Sequence, residues 1–149
     1  MMTTAIMTKK VLVCDDDPDI LELLKTLLSN SGYSVSTAMA HEEFFDKIDE
    51  FEPDLILLDI RMPEHDGFWI AEELQRRDIN IPIIFVSAHN RSVYRLCAPI
   101  AGAVDFIIKP FEPDVLLDRV SKALKMPAKS HNWFLYAASY KPKVHESTE

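Results

Sequence analysis

The chain has 149 residues, 48% of them hydrophobic, enough for one domain with its own core and too apolar for a disordered segment. A formal net charge of −8 and a pI near 5.1 set it against phosphate backbones and anionic membranes, so neither nucleic acid nor a lipid surface is an expected direct partner. No apolar stretch approaches the roughly 20 residues of a membrane span, and residues 1–10 hold no apolar segment of secretory type, which makes the cytoplasm the expected location.

In chain order the pattern alternates strand and helix. Val11, Leu12, Val13 and Cys14 form an apolar run that ends in Asp15, Asp16 and Asp17. Asp17-Pro18 is a helix start, an acidic N-cap followed by proline at the first helical position. Ile20, Leu23, Leu24, Leu27 and Leu28 then recur at helical spacing, and Gly32 closes the helix. A short strand over 33–38 follows, carrying β-branched Val35 and Thr37. Phe44, Phe45, Ile48 and Phe51 mark a helix over 41–51. Pro53-Asp54 leads into a strand over 55–58, followed at once by Asp59. Asp66-Gly67 reads as a turn, and 68–77 as a third helix.

A fourth strand covers 82–86, with Ser87, Ala88, His89 and Asn90 as a polar loop. Residues 91–101 look helical, but Pro99 should fray or kink the last turn. A fifth strand over 103–108 ends in Lys109. Pro113 opens a last helix carrying Val115, Leu116, Val120 and Leu124. Five strands interleaved with five helices imply an α/β fold, a five-stranded parallel sheet with helices on both faces and right-handed crossovers.

The expected organisation is a flexible N-terminus over 1–8, one domain over 9–126, and a tail over 127–149. The tail is aromatic and then polar: Trp133, Tyr136 and Tyr140 share one helical spacing. It either packs on its own domain, forms a dimer contact, or begins a linker. Cys14 and Cys97 lack any CxxC or metal-ligand spacing and read as two reduced thiols. The five histidines, His41, His65, His89, His131 and His145, read as surface or loop residues.

Three apolar runs therefore end in acid, acid and base. In parallel α/β sheets that edge is where ligands and chemistry collect. Carboxylates brought together there repel one another unless a cation compensates, which calls for a divalent metal. Taken singly, each residue has a plainer reading. An acidic triplet caps a helix, an aspartate after a strand makes a turn, a lysine before proline is solvated, Ser87 is a loop hydroxyl, and Phe106 is core.

Taken together, four segments resemble the receiver domain of two-component response regulators over about 9–126. They are Val13 to Pro18, Leu57 to Gly67, Val86-Ser87-Ala88, and Phe106-Ile107-Ile108-Lys109-Pro110-Phe111. The resemblance implies a flavodoxin-like, doubly wound (βα)5 fold. It implies Asp59 as phosphoacceptor and Mg²⁺ held by Asp15, Asp16, Asp59 and the backbone carbonyl of Arg61. Lys109 would pair with the phosphoryl group, Ser87 and Phe106 would act as the switch, and Pro110 would be cis. His89, two residues beyond Ser87, would lie at the rim of the site. The implied donor is a sensor histidine kinase or phosphotransfer protein. A homodimer would use the face built from 91–101, the fifth strand and the last helix. The chain departs from the family at Asp17, where glutamate is commoner, at Ser87 for threonine, at Phe106 for tyrosine, and at Pro99.

Three functions are weighed. The leading one is a phosphorylation switch that is not an enzyme beyond Mg²⁺-dependent self-phosphorylation from a phosphodonor and autodephosphorylation. The others are a Mg²⁺-dependent aspartyl-phosphate phosphohydrolase and a phosphorylation-independent pseudo-receiver. The phosphohydrolase usually needs a second carboxylate just after the nucleophile, and Arg61 occupies that place. The intact acidic cluster and Lys109 count against the pseudo-receiver. No output module is visible, which leaves a stand-alone receiver or part of a larger regulator.

Overall fold

Strand residues alternate between two faces of a sheet, and here both faces are apolar, so both must be covered. A computed structural model describes residues 8–62, 64–88 and 102–126. The elements run β1 (Lys10–Cys14), α1 (Pro18–Asn30), β2 (Ser34–Ala38), α2 (His41–Phe51), β3 (Leu55–Leu58), α3 (Gly67–Arg76), β4 (Ile83–Ser87), β5 (Ala103–Ile108) and α4 (Pro113–Leu124). The five strands are all parallel, in the order β2-β1-β3-β4-β5. The helix expected over 91–101, with Cys97 and Pro99, lies outside the described residues, as do His89 and the tail over 127–149. Among the described residues there are four helices.

The alternation divides the core in two. Leu12, Ile56, Leu58, Phe85 and Phe106 turn to the side where α2 and α3 bring Phe44, Ile48, Ile70 and Leu74. Val11, Val13, Leu55, Leu57 and Ile84 turn to the other, where α1 and α4 bring Leu21, Leu24, Leu28, Leu116 and Val120. Within α1 the buried stripe runs through Leu21, Leu24 and Leu28, while Leu23, expected inside, is half exposed, because it falls beside that stripe. Val115 is likewise exposed on α4.

Local chemistry sets the helix ends. The Asp17 carboxylate accepts from the Asp19 amide at 2.9 Å and Pro18 opens α1. Asp66 and Gly67 do not form a free turn. Asp66 is the N-cap of α3, accepting from the Trp69 amide at 2.9 Å, and Gly67 is its first residue. Ser87, expected to open a loop, is the fully buried last residue of β4 and pairs with Ile108.

One feature of the core escaped the sequence reading. The β4–β5 register shifts between Ile83 and Ile84, where Ala103 and Asp105 are the partners. Asp105 is nevertheless buried, and its two oxygens accept from Arg119 Nη1 of α4 at 2.8 and 2.9 Å. Burial raises the Asp105 carboxyl above its ordinary range, and Arg119 opposes that shift. A carboxyl with a raised folded pKa costs stability as pH rises. Arg119→Ala should therefore lower stability by about 2–4 kcal/mol at pH 7 and by clearly less at pH 4.5, as read by urea unfolding.

Candidate functional site

The winding of the sheet reverses between β1 and β3, which lie side by side. The crevice outside their C-terminal ends is the general ligand position of such sheets. Cys14 pairs with Leu58 in register, so Asp15 and Asp59 leave the sheet together. The Asp59 amide donates to the Cys14 carbonyl at 3.0 Å, and the Asp15 amide to the Ala38 carbonyl at 3.1 Å. One oxygen from each of Asp15, Asp16 and Asp59 lies within 4.8 Å of the others. Asp15 and Asp59 are buried, whereas Asp16 is exposed.

β5 supplies the counter-charge. The Lys109 amide donates to the Ser87 carbonyl at 2.8 Å, which ties the ends of β4 and β5 together. Lys109 Nζ lies 2.6 Å from Asp15 Oδ2 and 3.6 Å from Asp59 Oδ2. The Lys109–Pro110 bond is cis. Among the described residues one ammonium thus contacts two of the three clustered carboxylates. Burial, and then the charge of Asp15, pushes the Asp59 carboxyl up to about 6, against the pull of Lys109 and of the Arg61 amide. That amide donates to Asp59 Oδ1 at 3.3 Å, and the Arg61 side chain is exposed. A hard-oxygen cluster with more negative charge than its lysine can neutralise suits a hard cation. Burial and the same carboxylates push the Cys14 thiol far above its ordinary range, and it donates to Met62 Sδ at 3.5 Å.

The loop after Asp59 is shaped by close approach. A Cβ on Gly67 would lie 2.6 Å from the Asp59 carbonyl oxygen and 3.1 Å from the Phe85 ring, so only glycine fits. The Gly67 amide donates to the Ile60 carbonyl at 2.7 Å. Between them Glu64 holds φ 69°, a left-handed conformation that costs a non-glycine residue about 1 kcal/mol or more.

Of the residues expected at the site, Asp15, Asp16, Asp59 and Lys109 meet directly. Ser87 sits at the adjoining strand end, and Phe106 is buried in β5 with its ring 6.4 Å from that of Phe85. The reading of His41 and His65 as ordinary surface or loop residues missed a ring cluster. His65 stacks on Trp69 at 3.7 Å, and His41 stands edge-on to His65 at 4.6 Å and to Trp69 at 5.8 Å. The only sequence signal was two histidines at the starts of neighbouring segments.

The model of the response regulator receiver domain matches residues 11–121. The chain belongs to the response regulator receiver family. It is 36% identical over 119 residues to the alkaline phosphatase synthesis transcriptional regulatory protein PhoP of Bacillus subtilis, covering 80% of this chain and 50% of that one. It is 38% identical over 124 residues to the transcriptional regulatory protein PrrA of Mycobacterium leprae, covering 83% and 53%. The chain thus spans about half the length of the curated relatives it matches. The structure of a CheY-like receiver domain protein from Methanospirillum hungatei superposes with a TM-score of 0.74 at 30% identity, covering 79% of this chain and 94% of that one. The receiver domain is the α/β sheet described above, and no helix among its described residues is long and apolar enough to cross a membrane.

Asp59, with a pKa of about 6 against 3.8 as its ordinary value, holds its proton more tightly folded than unfolded. It therefore gives up stability as pH rises from about 4 to about 6. In the presence of a chelator, Asp59→Asn should be more stable than the wild type at pH 7.5 by about 1–2 kcal/mol, and the gap should close near pH 4 in urea unfolding.

Proposed function

We propose that this receiver is a phosphorylation-controlled switch in which Asp59 accepts a phosphoryl group from a sensor histidine kinase or phosphotransfer protein. The observation that carries the reading is a buried carboxylate at a strand end, flanked by two more and faced by the Lys109 ammonium. An Asp59 oxygen would form the new P–O bond as the donor's P–N bond breaks, the electron pair staying with the imidazole. The ion that fits the oxygen cluster is Mg²⁺, with Asp15, Asp16 and Asp59 as side-chain ligands and the Arg61 carbonyl as a fourth by family resemblance. When bound it would neutralise charge on the phosphoryl oxygens.

Lys109 would leave Asp15 and pair with the incoming group. Ser87, next to Lys109 across the β4–β5 ladder, would hydrogen-bond a phosphoryl oxygen, and Phe106 on β5 would follow. A modification adding about −1.5 to −2 of charge there biases a packed core with two arrangements. The exposed arginine two residues past Asp59 gives no second acid for turnover, which disfavours a phosphohydrolase. The chain would act in the cytoplasm, as its expected kinase partners do, and its chemistry would be limited to self-phosphorylation and autodephosphorylation.

Incubation with acetyl phosphate and Mg²⁺ should label Asp59 alone. Labelling should vanish in Asp59→Asn and on chelation, and wild type but not Asp16→Ala should melt higher with millimolar Mg²⁺. Undiminished labelling of Asp59→Asn rejects the assignment. Ser87→Ala should still accept phosphate at Asp59 but show a much smaller change in the amide shifts of β4 and β5 on addition of a phosphoryl mimic. An unchanged response would remove Ser87 from the switch.

A further inference from the structure

The loop from Asp59 to Gly67 is set at its inner end by Gly67, yet its apex lies against α2. His41, the first residue of α2, has a side chain only 16% exposed, and its Nδ1 is buried without a hydrogen-bond partner among the described residues. That nitrogen lies 3.6 Å from Oε2 of Glu64, the residue in the left-handed conformation. His65 extends the contact, because its ring stacks on Trp69 of α3 and meets the edge of His41. Two adjacent loop residues thus both rest on His41.

We propose that His41 is a pH-responsive positioning residue for the Asp59 loop: protonated, it pairs with Glu64 and pins the loop to α2, and neutral, it releases that hold. Histidine is the side chain whose charge ordinarily changes between pH 5 and 8. In the neutral form Nδ1 is a buried polar atom at 3.6 Å, beyond hydrogen-bond reach. A proton there converts the contact into an ion pair and lets the loop draw in.

The charged and titratable groups around His41, among the described residues, are few. The loop supplies Glu64 and His65, while α3 supplies the neutral Trp69 ring. Glu42 and Glu43 share the first turn of α2, where they offset the positive helix end that opposes a cation. Glu43 is also engaged, accepting from the Met39 amide at 2.7 Å. A second histidine, His65, stands 4.6 Å away with its ring stacked on Trp69. Because the Glu64 side chain is 73% exposed, the pair is screened and its effect is limited to a few-fold.

The consequence for signalling rests on the reading of Asp59 as phosphoacceptor, but the contact itself does not, and the test separates them. Hydrogen exchange of the Gly67 amide, which is bonded to the Ile60 carbonyl, is followed in the full chain carrying Asp59→Asn. This removes the titration of Asp59, and no phosphodonor is used. The protection factor, normalised for intrinsic exchange, should be about threefold or more higher at pH 5.5 than at pH 8. That difference should vanish on adding His41→Gln and, independently, Glu64→Gln. The exposed Glu64 side chain can be replaced without loss of the fold. Equal protection at the two pH values, or a pH difference that survives Glu64→Gln, overturns the proposal. A purely structural role for His41 would change protection equally at both pH values, which also overturns it.

Discussion

Repulsion among Asp15, Asp16 and Asp59, answered by Lys109, is the constraint around which this molecule is organised. The carboxylates are forced together because β1 and β3 are neighbours in register. Burial makes the repulsion matter, since charges that water would screen act more strongly on one another when two of the three groups are inside. The fold tolerates this through specific contacts from backbone amides and one side chain. Asp15 Oδ1 accepts from the Asp17 amide at 2.9 Å, Asp59 Oδ1 accepts from Arg61, and Lys109 reaches Asp15 at 2.6 Å. The charge that remains is the feature a cation and a phosphoryl group can exploit.

The rest of the sheet fixes the distances. Lys109 is aligned by the hydrogen bond its amide donates to the Ser87 carbonyl, so the ammonium and the hydroxyl sit at the end of one strand pair. Gly67 lets α3 start hard against the Asp59 carbonyl, and Asp66 closes that helix end. On the opposite side of the sheet, Asp105 and Arg119 join β5 to α4 through a buried ion pair. Charge therefore acts at two places on β5. One end meets the acidic cluster, and the middle is held to the helix that packs on it.

The loop between Asp59 and Gly67 joins the acidic cluster to α3. It contains a non-glycine residue at positive φ and leans on α2 and α3 through aromatic rings. The Glu64–His41 contact and the ring contacts that hold it are side-chain contacts, which a change of charge can alter. Its position, starting at the buried aspartate, links any such response to the chemistry there.

The sequence by itself determined the order of the described elements, the five parallel strands and the residues at their tips. Short apolar runs bounded by turn residues read as buried strands, and three of them, β1, β3 and β5, are closed by Asp or Lys at one end. α2 was legible to the residue, from His41 to Phe51, because its apolar spacing and flanking loops agree. The family resemblance then assigned chemistry to Asp15, Asp16, Asp59, Ser87, Phe106 and Lys109. What only the tertiary structure decided depends on contacts between segments distant in sequence. Asp105 is a lone carboxylate in a strand until the register shift and α4 bring Arg119 to it. Gly67 reads as a turn residue until the Asp59 carbonyl is found against it. His41 and Glu64 are 23 positions apart, and no periodicity relates them. Pattern in a sequence reports the face a residue presents, whereas its partner is set by how the faces are stacked.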